Sequence, residues 1–192
     1  RTGIRERRFA RDDESVVDMA TIAATRALEN ANLTIDDIDL VIVSSVTAEL
    51  DFPSVAVQVM GRLGAKNNAP AFDVRGACTG YIYGLHCARA FFAAGIHRRI
   101  MIIGAEKMTR FIDMTDRSTA VLFGDGAGAL IFEHSSSSYS GIIDTVIMSD
   151  GGEYECLHGT PDSKIVMNGP ETYKKAVQCM PDAARYIMEH AG

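Results

Sequence analysis

Apolar residues Met19, Ile22, Ala23, Ala27 and Leu28 recur at the spacing of one helix face, and Ser15-Val16-Val17-Asp18 ahead of them has the form of a capping box. A helix of about four turns is expected there. Residues 39–46 (DLVIVSSV) are an apolar run of strand length. Pro53 then stands where the first turn of a second helix would lead to Leu63, with Gly64 closing it. The pattern predicts a short strand over 71–75, a third helix over 78–94 stopped by Gly95, and a buried strand over 99–105 (RIMIIGA). A polar stretch, 106–118, precedes 119–133 (TAVLFGDGAGALIFE), which predicts one or two strands interrupted by glycines. Beyond the run Ser135-Ser136-Ser137-Ser138 the pattern predicts a strand over 141–148, a loop over 150–162 and a last helix over 169–189. Strands alternating with helices imply parallel βαβ units with right-handed crossovers, so the fold class is α/β.

Composition narrows the function classes. The 192 residues are 47% hydrophobic and 23% charged, near the average of folded proteins and far from disordered or collagen-like chains. A net charge of −6 argues against binding nucleic acid through neutralised phosphates. The sign is uneven, because Arg1, Arg5, Arg7, Arg8 and Arg11 face only Glu6 in the first eleven residues, a local basic patch suited to an anionic ligand or partner. No apolar run reaches the ~18–20 residues that span a bilayer. Cys78, Cys87, Cys156 and Cys179 form neither a CxxC pair nor a zinc-like spacing, which favours reduced thiols, a cytoplasmic setting and no metal.

The segment with chemistry in it is Phe72-Asp73-Val74-Arg75-Gly76-Ala77-Cys78-Thr79-Gly80, a strand turning through small residues into a helix whose first turn carries a thiol. A helix N-terminus presents unpaired N–H groups and the positive end of the macrodipole, which favour a thiolate. At ~0.3–1 kcal/mol, or up to ~2 when buried, the dipole alone moves a thiol from ~8.5 by about one unit, so a base or cation must assist. The same N–H groups suit the oxyanion formed when Cys78 attacks a carbonyl, worth roughly 2.7–4 kcal/mol per donor. The apolar Tyr81-Ile82-Tyr83-Gly84-Leu85 that follows implies a turn deep in the molecule, with Gly80 and Gly84 admitting another helix at close range. Gly124–Ala129 has the look of a nucleotide-binding glycine fingerprint but lies inside a strand pattern, and close backbone packing is the better reading.

Thr2-Gly3-Ile4-Arg5-Glu6-Arg7, Phe72-Asp73-Val74, Ala77-Cys78-Thr79-Gly80, Thr115-Asp116-Arg117 and Gly124-Asp125-Gly126-Ala127-Gly128-Ala129 occur in this order, and together they resemble β-ketoacyl-acyl-carrier-protein synthase III. The resemblance implies a thiolase-like layered fold of two related halves. Residues 1–137 would be the first half, lacking its N-terminal strand and helix, and 138–192 the start of the second. It also implies a homodimer that joins an acyl-CoA primer to malonyl-acyl carrier protein with loss of carbon dioxide, initiating fatty-acid synthesis. Acyl-CoA is then a substrate and no cofactor is called for.

Cys78 is similar in position to the family's acyl-accepting nucleophile. By the same resemblance Arg1 sits at the mouth of the CoA tunnel, Arg117 stacks on the adenine, Phe52 enters the acyl pocket of the neighbouring subunit, and Leu157, Met167, Gly169 and Tyr173 line the tunnel. Arg75 and Thr79 stand where smaller or less polar residues are expected. The family's catalytic His and Asn belong to His-Gln-Ala-Asn-like and Asn-Thr-Ser-like motifs, neither of which occurs in these 192 residues, and none of the five histidines takes either role. Two alternatives stay open: a related acyltransferase or specialised-metabolite synthase using the same cysteine, and a non-catalytic binding module.

Overall fold

The computed structural model describes residues 2–135 and 141–190. The expected half boundary at 137/138 lies outside the described residues. Helix α1 (Val16–Ala31) opens on the predicted capping box: the Ser15 side chain accepts from the Asp18 N–H, and the Asp18 carboxylate accepts from the Ser15 N–H at 2.7 Å. It ends on Asn32, whose φ of 53° suits the left-handed cap that Asn tolerates. Strand β1 (Leu40–Ser44) follows, then α2 (Val55–Arg62), β2 (Ala71–Val74), α3 (Gly80–Ala93), β3 (Arg99–Lys107) and β4 (Asp125–Glu133). Ser54 caps α2, so Pro53 precedes the helix rather than sitting in its first turn.

The sheet runs β2-β1-β3-β4. β1 pairs in parallel with β2 and β3, as the alternating strands and helices predict. β4 is antiparallel to β3 and joined to it without a crossover helix, which corrects the all-parallel expectation. Only 125–133 of the glycine-interrupted stretch is strand. β1 is buried along its whole length, with Val41 and Val43 packing on α1 and α2 while Leu40 and Ile42 pack on α3. The result is a helix–sheet–helix sandwich, each fully buried Ile, Val or Leu contributing ~1.5–3 kcal/mol of transfer free energy. α3 meets the sheet through Gly80, Gly84 and Ala88, and a Cβ at Gly84 would lie 3.0 Å from an Ile102 methyl. The small residues therefore admit the sheet, not another helix.

The second stretch departs further from expectation. Residues 141–148 form no strand. Where a loop is expected there is a short helical turn (Gly151–Cys156) and a hairpin of β5 (Leu157–Thr160) and β6 (Lys164–Met167), followed by α4 (Gly169–His190). Tyr83 to Ser149 (2.9 Å), His86 to Thr145 (2.7 Å) and the Arg89–Asp144 ion pair (3.1 Å) fasten 144–149 along α3. No helix among the described residues is long and apolar enough to cross a membrane.

Candidate active site

Strand β2 delivers the chain into the cysteine turn, and each glycine there has a steric reason. A Cβ at Gly76 would sit 2.7 Å from the Gly80 Cα, so glycine alone lets the chain fold back on itself. A Cβ at Gly80 would fall 2.2 Å from the Ser44 Oγ, which fixes how closely the start of α3 approaches β1. Between them Ala77 holds a φ of 46°, the left-handed region in which a side chain costs of order 1–3 kcal/mol. Strain of this kind adjoins Cys78, the candidate nucleophile. Cys78 occupies the middle of a 3-10 turn, Ala77–Thr79, closed by the Thr79 N–H and Oγ1 donating to the Gly76 carbonyl at 3.2 and 3.0 Å. The α-helix proper begins only at Gly80, two residues later than the sequence pattern implies.

The expectation of a deeply buried turn is corrected. Cys78, with Ala77 and Thr79 on either side, is exposed, and the face of α3 that packs on the sheet is narrow, being the Gly80, Gly84 and Ala88 line. The sulfur is reachable. Two adjoining cavities flank the turn. One of about 420 Å³ is lined by Val74, Arg75, Gly76, Thr79, Tyr83 and Ser149. The other, about 350 Å³, lies between the start of α3 and α4 and includes Ile82, Met148, Cys179 and Met180. Cys78 lines neither.

The other expected site residues fall in three places. Leu157 and Met167 are directly opposite across the β5–β6 hairpin, and Gly169 and Tyr173 follow in the first turns of α4, so these four do share a neighbourhood. The Asn168 N–H (2.9 Å) and Thr172 Oγ1 (3.3 Å) both donate to the Cys156 carbonyl, locking the hairpin onto the helix start. Tyr173 is 72% exposed, so its ring is presented rather than packed. Arg117 is exposed inside the second of two successive turns, in which Asp113 accepts from Thr115 and Asp116 accepts from Ser118 and Thr119. Phe52 is 84% exposed at the tip of the β1–α2 loop. Arg1 lies outside the described residues.

The histidines have other occupations: His86 on Thr145, His97 edge-on to Phe91, His134 edge-on to Phe92, His190 stacked on Tyr186, and His158 opposite Val166 in the hairpin. No group of three or more His, Cys, Asp or Glu among the described residues is placed to hold a metal ion. Glu153 hydrogen-bonds the Cys156 thiol and holds its pKa above the ordinary thiol value, the opposite of activation.

Two acidic residues have a part in the site's shape that the sequence reading did not assign. Asp73 accepts from the Val55 and Ala56 N–H groups at 2.7 and 2.9 Å, placing a negative charge at the N-terminus of α2. Glu106, at the end of β3, accepts from the Val46 N–H (2.9 Å), from the Thr47 hydroxyl and, at 3.5 Å, from the Ser45 hydroxyl. Burial raises its pKa against the lowering pull of those hydrogen bonds. The available signal was an acid directly after the apolar run 99–105, taken there as the first residue of the polar stretch 106–118.

The layered sheet, with its terminal antiparallel strand and its thiol at a strand-to-helix turn, is that of the thiolase-like α/β proteins. Within that class the chain matches the model of the 3-oxoacyl-[acyl-carrier-protein (ACP)] synthase III family over residues 72–151. The β-ketoacyl-[acyl-carrier-protein] synthase III of Oceanobacillus iheyensis is 45% identical over all 192 residues, and that of Listeria monocytogenes 46%. The crystal structure of the Aquifex aeolicus synthase III superposes at a TM-score of 0.94 with 42% identity, covering 100% of this chain and 61% of that one. The priming β-ketosynthase of the R1128 polyketide pathway superposes at 0.92 with 37% identity, covering 100% of this chain and 60% of that one. The chain spans 61% of the length of the curated relatives it matches.

Proposed function

We propose that the protein takes part in a decarboxylating Claisen condensation, in which Cys78 accepts an acyl group from acyl-CoA and passes it to malonyl-acyl carrier protein, initiating fatty-acid synthesis. The observation that carries this reading is the exposed thiol in a strained turn at the head of α3, in a chain 45% identical to synthases of this name. In the first half-reaction the Cys78 thiolate attacks the thioester carbonyl, N–H groups at the head of the helix face the developing oxyanion, and CoA leaves as its thiol after taking up a proton. In the second, loss of carbon dioxide from the malonyl group gives an enolate whose carbon attacks the acyl-cysteine, forming a carbon–carbon bond and returning the thiolate. By family likeness that step needs a His and an Asn in motifs these 192 residues do not contain. The half-reaction assigned to this chain's own residues is therefore acyl transfer to Cys78.

Supporting roles follow the same likeness. Arg1 and Arg117 would hold CoA, Phe52 would close the acyl pocket of a second subunit in a homodimer, and Leu157, Met167, Gly169 and Tyr173 would line the tunnel, in a cytoplasmic enzyme that needs no cofactor. Residues up to 137 would form most of one thiolase-like half, and the rest the start of another. Mass spectrometry of the intact protein after incubation with an acyl-CoA tests the core claim: the acyl mass is expected on the unaltered protein, and an adduct that survives Cys78→Ala overturns the assignment. The likeness to a priming polyketide synthase favours a second reading, in which the same cysteine primes a specialised metabolite. Carbon dioxide release with malonyl-acyl carrier protein, but not with malonyl-CoA, simple alcohols or amines as acceptors, supports the first.

A further inference from the structure

Residues 45–54 cross from β1 to α2 as a loop fixed at both feet. On the β1 side the Ser45 N–H donates to the Val74 carbonyl at 3.3 Å, and Glu106 receives Val46, Thr47 and Ser45 as described. The Thr47 hydroxyl in turn accepts from the Lys107 N–H at 2.8 Å. Arg110 donates to the Thr47 and Ala48 carbonyls at 2.6 and 3.0 Å and pairs with Glu49 at 3.9 Å. Glu49 accepts from the Val16 N–H at 3.0 Å, tying the foot to the start of α1. On the α2 side Gln58 donates to the Pro53 carbonyl at 3.0 Å, and Asp73 holds Val55 and Ala56.

Only Leu50, Asp51 and Phe52 stand clear between the feet, Leu50 54% and Phe52 84% exposed. Three residues between two fixed ends have little conformational freedom, so the position of the aromatic ring is decided where the feet are fastened. Every hydrogen bond of the Glu106 carboxylate goes to residues 45–47, and Arg110 spends its guanidinium on 47–49. A carboxylate brought out of water to serve one loop is a costly way to hold a surface turn unless the turn's position matters.

We propose that Glu106, with Arg110 beside it, is a positioning residue that sets the place of Phe52 and thereby the length of acyl primer the enzyme accepts. The proposal deepens the acyl-transfer reading and rests on Phe52 closing the acyl pocket, as stated under Proposed function. One methylene more or less in an apolar pocket changes discrimination by about 10–200-fold, so a small displacement of the ring reads out as a changed preference rather than a uniform loss.

The test compares Phe52→Ala, Glu106→Ala and Glu106→Gln with the unaltered protein, using Cys78 acylation rates for saturated acyl-CoA thioesters of increasing length and hydrogen exchange of amides 46–52. Phe52→Ala is expected to shift the preferred length. Glu106→Ala is expected to change the ratio of long to short primers by about 10-fold in the same direction and to speed exchange of the loop amides. Glu106→Gln, which keeps one acceptor oxygen for the Val46 N–H, is expected to fall between the unaltered protein and Glu106→Ala, and it carries the test if Glu106→Ala does not fold. A loss equal for all primers, or an unchanged preference in a folded Glu106 variant alongside a shifted Phe52→Ala, overturns the positioning role alone. A Phe52→Ala protein with unchanged preference overturns the acyl-pocket reading of Phe52 and the proposal with it, whatever becomes of Cys78.

Discussion

Helices α1 and α4 are both amphipathic, and they meet opposite fates. α1 buries Val16, Val17, Ala20, Ala24 and Leu28 against the sheet. α4 is longer, 22 residues, yet none of its residues is buried, and Tyr173, Val177, Met180, Tyr186 and Met188 stand exposed. It also carries Pro181, which leaves the Val177 carbonyl without its usual helical donor. The contrast shows that periodicity decides whether a segment coils, while burial is decided by what lies opposite. The sheet supplies a partner for α1, α2 and α3; among the described residues nothing comparable covers α4.

The sharpest way to break that comparison is to cut into each side. Ile102→Ala empties a fully buried position between α3 and the sheet and is expected to cost ~2–5 kcal/mol, measured as a lowered urea midpoint at unchanged slope. Gly80→Ala is expected to cost ~1–3 kcal/mol by overpacking against Ser44, and Ser44→Ala in the same chain is expected to recover part of the loss, a coupling that a double-mutant cycle reads directly. Ser15→Ala removes the α1 cap at about 1 kcal/mol.

That cap also has an acid limb. Hydrogen bonds from the Ser15 hydroxyl and N–H, then Arg62, hold the Asp18 pKa at about 2 against an ordinary 3.8. A depressed carboxylate stabilises the fold above its unfolded value and loses that contribution as pH falls from about 4 towards 2, so Ser15→Ala should flatten stability across this window in urea titrations. Met180→Ala is expected to change stability by no more than about 0.5 kcal/mol; a larger loss would mean that α4 is covered after all.

Much of the first region was legible because its local signals agree with its packing. The capping box at Ser15, the doubly buried run of β1 and the small residues around Cys78 each specify one local structure. Elsewhere the physics lies outside the segment. Residues 141–148 are apolar enough for a strand, but a strand exists only with a neighbour to bond, and here the segment is held by side chains of α3 instead. The direction of β4 is not written in its residues, since an antiparallel and a parallel edge strand can share one pattern. Cys78 was expected deep inside because α3 is rich in apolar residues, whereas only its Gly80, Gly84 and Ala88 line is buried. Glu106 passed for the start of a polar connection, whereas the strand in fact continues to Lys107.

Asp73 precedes the cysteine turn on the same short strand and grips the first amides of α2. One four-residue segment thus sets both the depth at which the thiol is offered and the spot from which the loop carrying Phe52 departs. A shift of that strand along the sheet would therefore move the thiol and the α2 foot of that loop together.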